Sequence, residues 1–130
     1  MRYAESDQMG IAHHASYVLW LEAARIEWLR HLGFCYRDME AQGVLLPVTG
    51  LQIHYRAPAR FDDVLQVPTE LHELGHCRIV LGSQISRHRP DRGAVSIADA
   101  VVTLATVDAQ GRPRRLPKHI HTALSAMLRS

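Results

Sequence analysis

The chain changes from a helical to a strand periodicity near residue 50. Upstream of that point, five apolar residues share one face of a helical wheel drawn over residues 17–32: Val18, Leu21, Trp28, Leu29 and Leu32. This spacing is typical of a helix with one buried face. Ser16 suits the N-cap of such a helix, and Gly33 suits its C′ position. The pattern therefore predicts a long apolar helix from Tyr17 to Leu32.

Two charged residues interrupt the apolar face of this helix. Glu22 and Arg25 are three residues apart, a spacing at which side chains on a helix are neighbours. An isolated charge is costly to bury, whereas a paired one is less so. We therefore expect Glu22 and Arg25 to form a partly buried ion pair.

Four strands are predicted after residue 50. Apolar residues occupy alternate positions in three runs, 51–55, 65–71 and 77–85, which is the period of a strand with one buried face. A fourth run, 94–107, is apolar on nearly both faces, so we expect it at the centre of the sheet with both faces covered. Pro68 cannot donate a ladder hydrogen bond and indicates an edge or a bulge.

Shorter signals complete the predicted order of elements. Leu74-Gly75-His76 suits a hairpin turn, and Asp62-Asp63 marks a turn before it. We expect a short strand in residues 1–6, a one-turn helix over 36–41, a turn over 108–112 and a closing helix over 117–128. A helix followed by a run of strands is typical of an α+β protein with one antiparallel sheet. A chain of 130 residues fits a single domain, 1–130.

Charge and composition restrict the partners of the chain. Apolar residues make up 47% and charged residues 22%, which excludes disordered and collagen-like classes. The net charge of +2 is too small to make nucleic acid the expected partner. The basic residues cluster in two short regions, 87–92 and 112–118, and such clusters fit a local anion site better than a nucleic-acid groove.

The cysteines and the apolar runs indicate the compartment. Cys35 and Cys77 lack the spacing of zinc ligands, and two cysteines are too few for a secreted disulfide scaffold. The sequence has neither a signal-peptide core nor an apolar run of about 18 residues. We therefore expect a cytoplasmic protein that does not insert into a membrane.

The segment AESDQMGIAHHASY, residues 4–17, carries the candidate chemistry. Gly10 permits a sharp turn that could bring Asp7 back to the free N–H groups at the start of the helix. Those donors suit a developing oxyanion, and a nearby carboxylate could act as a general base or a nucleophile. Asp7 could equally serve only as a turn cap. His13 and His14 are a weak metal pair, because adjacent residues on an extended chain point apart.

The stretch RYAESDQMGIAHHASYVLWLEAARIEWLR resembles the signature of hotdog-fold acyl-CoA thioesterases of the 4-hydroxybenzoyl-CoA thioesterase group. The later stretch YRAPARFDDVLQV resembles a strand, turn and strand entry of the same family. This resemblance implies a hotdog fold, in which an antiparallel sheet wraps around a long central helix. It also implies hydrolysis of an acyl-CoA thioester to a free acid and CoA. The positions that match the first motif are Asp7, Gly10, His14, Tyr17 and Arg25.

The resemblance further implies roles for single residues. Asp7 would be the catalytic carboxylate, acting through a water or by direct attack. The backbone N–H of His14 would polarise the thioester carbonyl. The side chains of His13, His14 and Tyr17 would shape the mouth of the site beside Gly10.

Partners are implied by the same resemblance. Sites in this family lie across a dimer interface, so we expect a homodimer or a dimer of dimers. No cofactor and no metal are expected. Five residues correspond to regions that hold the nucleotide phosphates in relatives: His76, Arg78, Arg114, Arg115 and Lys118.

Other functions and several substrates stay open at this point. A non-catalytic module that binds acyl-CoA or an acyl-carrier protein is the main alternative to a thioesterase. A hydratase is disfavoured because no histidine base has a clear place opposite the aspartate. Four residues of the expected tunnel are compatible with either an aryl or a medium-length aliphatic acyl group: Trp20, Trp28, Tyr36 and Leu46.

Overall fold

The computed structural model describes residues 14–57, 64–89 and 93–128. The predicted strand in residues 1–6 and the turn at Asp62-Asp63 lie outside the described residues, as do Asp7, Gly10 and His13. None of the helices in the described ranges combines the length and apolar character that a bilayer crossing requires.

Three helices and five strands make up the described chain. The helices are α1 (His14–His31), α2 (Tyr36–Ala41) and α3 (Lys118–Leu128). The strands are β1 (Val48–Tyr55), β2 (Val64–Gln66), β3 (Thr69–Leu74), β4 (Arg78–Arg89) and β5 (Gly93–Ala105). The predicted one-turn helix and closing helix are thus confirmed to within one residue.

All five strands form one antiparallel sheet. The strand order is β1-β5-β4-β2. The strand β3 pairs with the same edge of β4 as β2 does, but along a different part of β4. The register sets Val102 of β5 between Leu51 of β1 and Leu81 of β4. The central position predicted for the last strand is confirmed.

The predicted count of four strands is wrong. The run 65–71 is divided between β2 and β3, and Val67 and Pro68 lie between them. Proline has no N–H to donate to a ladder, so the pairing with β4 is interrupted at this point. The edge or bulge expected at Pro68 is confirmed in this form.

Alternate residues of the sheet face α1 and form the core. On β5 the buried positions include Ala98, Ala100, Val102 and Leu104, whereas the positions between them are only half-buried. Within a single chain only one face of β5 is fully covered, so the expectation that both faces are covered is wrong. The main contributors from the other elements are Tyr17, Leu21 and Leu29 of α1, Ile79, Leu81 and Ile85 of β4, and Ile120 and Leu124 of α3.

The start of α1 differs from the prediction. The helix begins at His14, three residues before Tyr17. Ser16 lies inside the first turn and is only 4% exposed, so its prediction as the N-cap is wrong. Tyr17 is the buried apolar residue in this turn of the helix. Val18 lies about 100° further around the helix axis and is 45% exposed.

The ion pair expected between Glu22 and Arg25 is also absent from the described part of the chain. Glu22 is exposed, whereas Arg25 is half-buried with a buried Nε that has no hydrogen-bond partner. The i, i+3 spacing permits the contact without requiring it, because each of these long side chains can adopt several rotamers.

Glycines in the left-handed region end both of the first two helices. Gly33 has a φ of 89° and Gly43 a φ of 82°. Gly33 N–H donates to the Arg30 carbonyl, and Phe34 N–H donates to that of Leu29. The same pair of bonds closes α2, which makes both ends Schellman motifs. The C′ role predicted for Gly33 is confirmed.

These two glycines provide a matched test of helix termination. Gly33→Ala should lower the free energy of unfolding by about 1 kcal/mol, because a Cβ strains this φ while meeting no atom within 4 Å. Gly43→Ala should cost slightly more, since its Cβ would come within 2.6 Å of the Arg114 guanidinium, and this flexible group would have to move and weaken its hydrogen bond to the Gly43 carbonyl. Urea unfolding of both variants measures the difference, and equal losses would contradict a packing role for Arg114.

Candidate functional site

The N-terminus of α1 is the part of the candidate site that the structure describes. The helix starts at His14, and the N–H groups of a first turn have no acceptors within the helix. The first turn carries no acidic side chain that would neutralise the positive end of the dipole. Such an end can stabilise the oxyanion of a polarised carbonyl. The other proposed partners, Asp7, Gly10 and His13, lie outside the described residues.

Tyr17 anchors this end of the helix to the sheet. Its side chain is 3% exposed. The ring centroid lies 4.9 Å from that of Trp20 and 5.0 Å from that of Tyr55, and the latter contact is edge-to-face. Such aromatic contacts are favourable beyond the area they bury. The α1 N-terminus is therefore held beside the last residue of β1.

A small, half-open cavity of about 60 Å³ lies between α1 and the sheet. It starts one turn after His14 and continues for two more turns of the helix. Its walls are apolar except for Glu22 and Arg25, which stand on the helix side. The lining residues are Val18, Leu21, Glu22, Arg25, Val48, Leu51 and Val102.

Sequence reasoning missed most of this cavity. Val18 and Leu51 were expected on buried faces, yet in the chain they are 45% and 38% exposed. The signal in the sequence was the break in the apolar arc at Glu22 and Arg25. Charged residues at such positions can mark the lining of a cavity as well as an ion pair.

Tyr36 contacts the segment that leads into β1. Its hydroxyl donates to the Leu46 carbonyl at 2.9 Å. Burial raises the pKa of the Tyr36 phenol above its usual value, Glu40 and Glu22 raise it further, and the positive charge of Arg25 opposes them.

A second, open groove of about 420 Å³ is lined in part by Tyr36. It is bounded by α2, by the segment that leads into β1 and by the turn after β5. The lining residues are Tyr36, Glu40, Leu45, Leu46, Pro47, Val107, Asp108, Ala109 and Gly111.

Arg114, predicted to hold phosphate, makes structural contacts. Its guanidinium Nη1 donates to the Gly43 carbonyl at 3.3 Å. Its backbone N–H donates to the Thr106 carbonyl, and its own carbonyl accepts a hydrogen bond from the Thr106 hydroxyl at 2.5 Å. Arg114 thus ties the segment after β5 to the end of α2.

The other predicted phosphate ligands are exposed near the same end of the sheet. His76, in the β3–β4 turn, stacks on His121 of α3 with centroids 5.8 Å apart. Arg78 lies 3.7 Å from the Glu73 carboxylate across that hairpin. Arg115 and Lys118 are exposed beside the start of α3. Backbone hydrogen bonds link these segments, because Thr106 N–H donates to the Cys77 carbonyl.

The structure separates the two groups of predicted site residues within one chain. Tyr17 contacts the end of β1, whereas Phe34, just past α1, packs against His119 of α3 at 6.1 Å. The helix between these two contacts has 18 residues, a length of about 27 Å at 1.5 Å per residue. His14 and the basic group of residues 76–78 and 114–118 therefore lie at opposite ends of α1.

Metal chemistry has no evident place in the described ranges. No three His, Cys, Asp or Glu side chains of residues 14–57, 64–89 and 93–128 gather closely enough to hold an ion. Cys35 and Cys77 are both free thiols.

Comparison with known proteins decides the family. The family model described as the thioesterase-like superfamily matches residues 1–124. The chain belongs to the thioesterase-like superfamily. The match covers the helix start and cavity described above, and the resemblance seen in the first motif is confirmed at the level of the family. The α+β hotdog fold expected from that resemblance is confirmed as well.

Three members illustrate the likeness. The acyl-CoA thioester hydrolase YbgC of Escherichia coli is 34% identical over 119 residues, which are 91% of this chain and 86% of that protein. A Bacillus subtilis protein named a putative acyl-CoA thioesterase, YneP, is 41% identical over 85 residues, 65% of this chain and 62% of that one. The crystal structure of a DHNA-CoA thioesterase from Staphylococcus aureus has a TM-score of 0.90 at 30% identity, covering 99% of this chain and 87% of that chain.

The half-buried phenol of Tyr36 predicts a pH dependence of stability in this superfamily member. A folded-state pKa raised above the usual value of 10.0 stabilises the fold below that pH, and this contribution is lost as pH rises through the folded-state pKa. At pH 8 the free energy of unfolding of the wild type should exceed that of Tyr36→Phe by about 1 kcal/mol, because the variant lacks the hydrogen bond to the Leu46 carbonyl.

The difference in the free energy of unfolding between the wild type and Tyr36→Phe should shrink above about pH 10. Urea unfolding of both at pH 8, 10 and 11 measures it, and all other titrating groups are common to the pair. A constant difference across this range would contradict the burial of the phenol.

Proposed function

We propose that the chain hydrolyses acyl-CoA thioesters to a carboxylic acid and free CoA. The observation that carries this proposal is the helix that starts at His14 without an acidic first turn, above an apolar cavity that follows the same helix. An oxyanion donor beside an apolar cavity suits a thioester whose acyl group is apolar. The superfamily relatives named acyl-CoA thioester hydrolase support the same chemistry.

Asp7 is the proposed catalytic carboxylate. It takes a proton from water while the water oxygen attacks the thioester carbon, and the His14 N–H stabilises the oxyanion that forms. The carbon–sulfur bond then breaks, and the thiolate of CoA takes up the proton that Asp7 had accepted, which restores the carboxylate. Direct attack by the carboxylate, followed by hydrolysis of the anhydride, is the second route open to the same residue.

We further propose a homodimer that forms through β1. In the described part of the chain this strand pairs with β5 alone. It exposes three large apolar residues, Val48 at 49%, Leu51 at 38% and Tyr55 at 46%, and Val18 of α1 lies beside them in the cavity wall. An apolar surface on a strand that has one unpaired edge among the described residues is suited to a second copy.

A dimer would also allow the two groups of site residues, which are separated within one chain, to act on the same substrate molecule. If CoA runs from the α1 N-terminus of one protomer to the second protomer, basic residues of either chain can meet its phosphates. His76, Arg78, Arg115 and Lys118 are the proposed candidates, since all four are exposed. Arg114 fits a positioning role better, because its guanidinium already bonds Gly43.

The free thiols support a reducing, cytoplasmic location.

Replacement of the carboxylate tests the proposed chemistry. Asp7→Asn should lower kcat at least about a hundredfold, the scale expected for loss of a general base, while acyl-CoA binding is retained. Release of free thiol from a panel of aliphatic and aromatic acyl-CoAs measures turnover, and calorimetry measures binding. Asp38→Asn, an exposed carboxylate on α2, is the matched control and should keep wild-type activity.

Two results would contradict this proposal in different ways. A variant that retains most of its turnover would reduce Asp7 to a turn cap. Binding without turnover by the wild type, across the whole panel, would instead indicate a non-catalytic acyl-CoA binding module.

The dimer has its own test. Light scattering should give a mass at least twice that of the 130-residue chain. Leu51→Glu should lower this mass, because it introduces a charge into the apolar surface of β1. Leu128→Glu is the control, since Leu128 is similarly exposed, at 44%, but lies on α3. Dissociation by both variants, or by neither, would place the interface elsewhere.

A further inference from the structure

We propose that Glu22 and Arg25 of α1 form reciprocal ion pairs with Arg25 and Glu22 of a second protomer, so that the acyl cavity is completed only in the dimer. This inference rests on the proposed homodimer and on the proposed thioesterase function. It assigns a partner to two charged side chains that form no ion pair in the described part of the chain.

Two pairs of charges on α1 have the same spacing and behave differently. Glu27 and Arg30 are three residues apart and form an ion pair within the chain, with 3.4 Å between Arg30 Nη1 and Glu27 Oε2. Glu22 and Arg25 are also three residues apart, yet they form no such pair among residues 14–57, 64–89 and 93–128. Helix geometry permits the contact at both places, so the difference lies in what surrounds each pair.

Glu22 and Arg25 stand at the margin of the surface proposed for the dimer. Both line the cavity between α1 and the sheet, together with Val48 and Leu51 of β1. Glu22 is exposed, and Arg25 is half-buried with a buried Nε that finds no acceptor in the described ranges. Proteins rarely leave a buried donor unsatisfied, so this guanidinium lacks a stabilising contact in the isolated chain.

Apolar residues flank Glu22 on the solvent side of the helix. Leu19, three residues before it, is 52% exposed, and Ile26, four residues after it, is 36% exposed. Residues at these spacings are neighbours on a helix surface. An exposed apolar surface of this kind indicates an interaction site, and the charges within it favour a partner with complementary charges.

Two-fold symmetry favours a second copy of the chain as that partner. In a symmetric dimer, a contact of residue i with residue j of the partner is repeated as a contact of j with i. When two α1 helices lie side by side and antiparallel, one Glu22–Arg25 contact between protomers is therefore accompanied by a second. A partner of one charge sign would satisfy only one of the two residues and repel the other.

The pairing changes the character of the acyl cavity. In a single chain, an apolar acyl group in this cavity would remove Glu22 and Arg25 from water without a partner, which is costly. Ion pairs between protomers would neutralise both charges before the substrate binds. The remaining wall is apolar, formed by Val18, Leu21, Val48, Leu51 and Val102. The cavity is thus suited to an apolar acyl group in the dimer and not in the separated chain.

Charge reversal tests the reciprocal pairing. Glu22→Arg places like charges at both contacts of a symmetric dimer, and so does Arg25→Glu. Each variant alone should have a dimer dissociation constant at least about thirtyfold above that of the wild type, the change expected when a close interfacial charge pair is broken. Analytical ultracentrifugation over a concentration series measures this constant for all three proteins.

Mixing the two variants distinguishes pairing between chains from pairing within one. The Glu22→Arg chain has positive charges at both positions and the Arg25→Glu chain has negative charges at both, so each contact of a mixed dimer joins opposite charges. The mixture should form heterodimers about as stable as the wild-type dimer, and thiol release from acyl-CoA should recover with them. Should either variant be insoluble alone, co-expression of the two chains with a tag on one provides the same test.

Glu27→Arg and Arg30→Glu are the matched controls. They reverse the charges of a pair with the same spacing on the same helix, but this pair is closed within the chain and both side chains are more than half exposed. Each control variant should dimerise as the wild type does, and mixing the two should change nothing.

The outcomes separate this inference from the proposals on which it rests. Glu22 and Arg25 variants that dimerise normally alone, or that fail to associate when mixed, overturn the reciprocal pairing. Dissociation of the control variants would overturn it too, since any charge reversal on α1 would then disrupt the dimer. A monomeric wild type overturns the homodimer together with the pairing, whereas a dimeric wild type without turnover on any acyl-CoA overturns only the thioesterase function.

Discussion

The packing of α1 against the sheet is the interaction on which the rest of the structure depends. Tyr17, Leu21 and Leu29 are all at most 5% exposed, and they meet alternate residues of β4 and β5 that are equally buried. Each such side chain contributes about 1.5–3 kcal/mol when fully removed from water. This packing fixes the direction of the helix, and therefore the end of the sheet at which its N-terminal N–H groups lie.

Much of the fold could be predicted from local patterns. The central strand, the hairpin at Gly75, the helix end at Gly33 and the closing helix all follow from periodicity, glycine and proline, since these signals act within a few residues. The start of α1 and the surroundings of Val18 could not be predicted in this way. Which of two adjacent apolar residues is buried depends on the sheet that packs against them, and that sheet is distant in the sequence.

The residues of the candidate site also fall into two groups: those that local patterns indicate and those whose contacts depend on distant parts of the chain. The motif around Asp7 and His14 is local, so the sequence could indicate it, and the start of α1 at His14 fits its proposed use. Arg114 was expected at a phosphate because it lies in a basic cluster. Its contact with Gly43, 71 residues away, depends on the path of two loops. A cluster of charge in the sequence therefore predicts a charged region better than it predicts the task of each residue.

One helix serves stability and recognition through adjacent faces, and this constrains where specificity can change. Tyr17 and Leu21 hold the core, while Val18, Glu22 and Arg25, each one position or one turn away, line the cavity. A larger or smaller residue on this helix alters the cavity and also displaces the packing beside it, because protein interiors are closely packed. A change of specificity on α1 is therefore coupled to a change in the stability of the core.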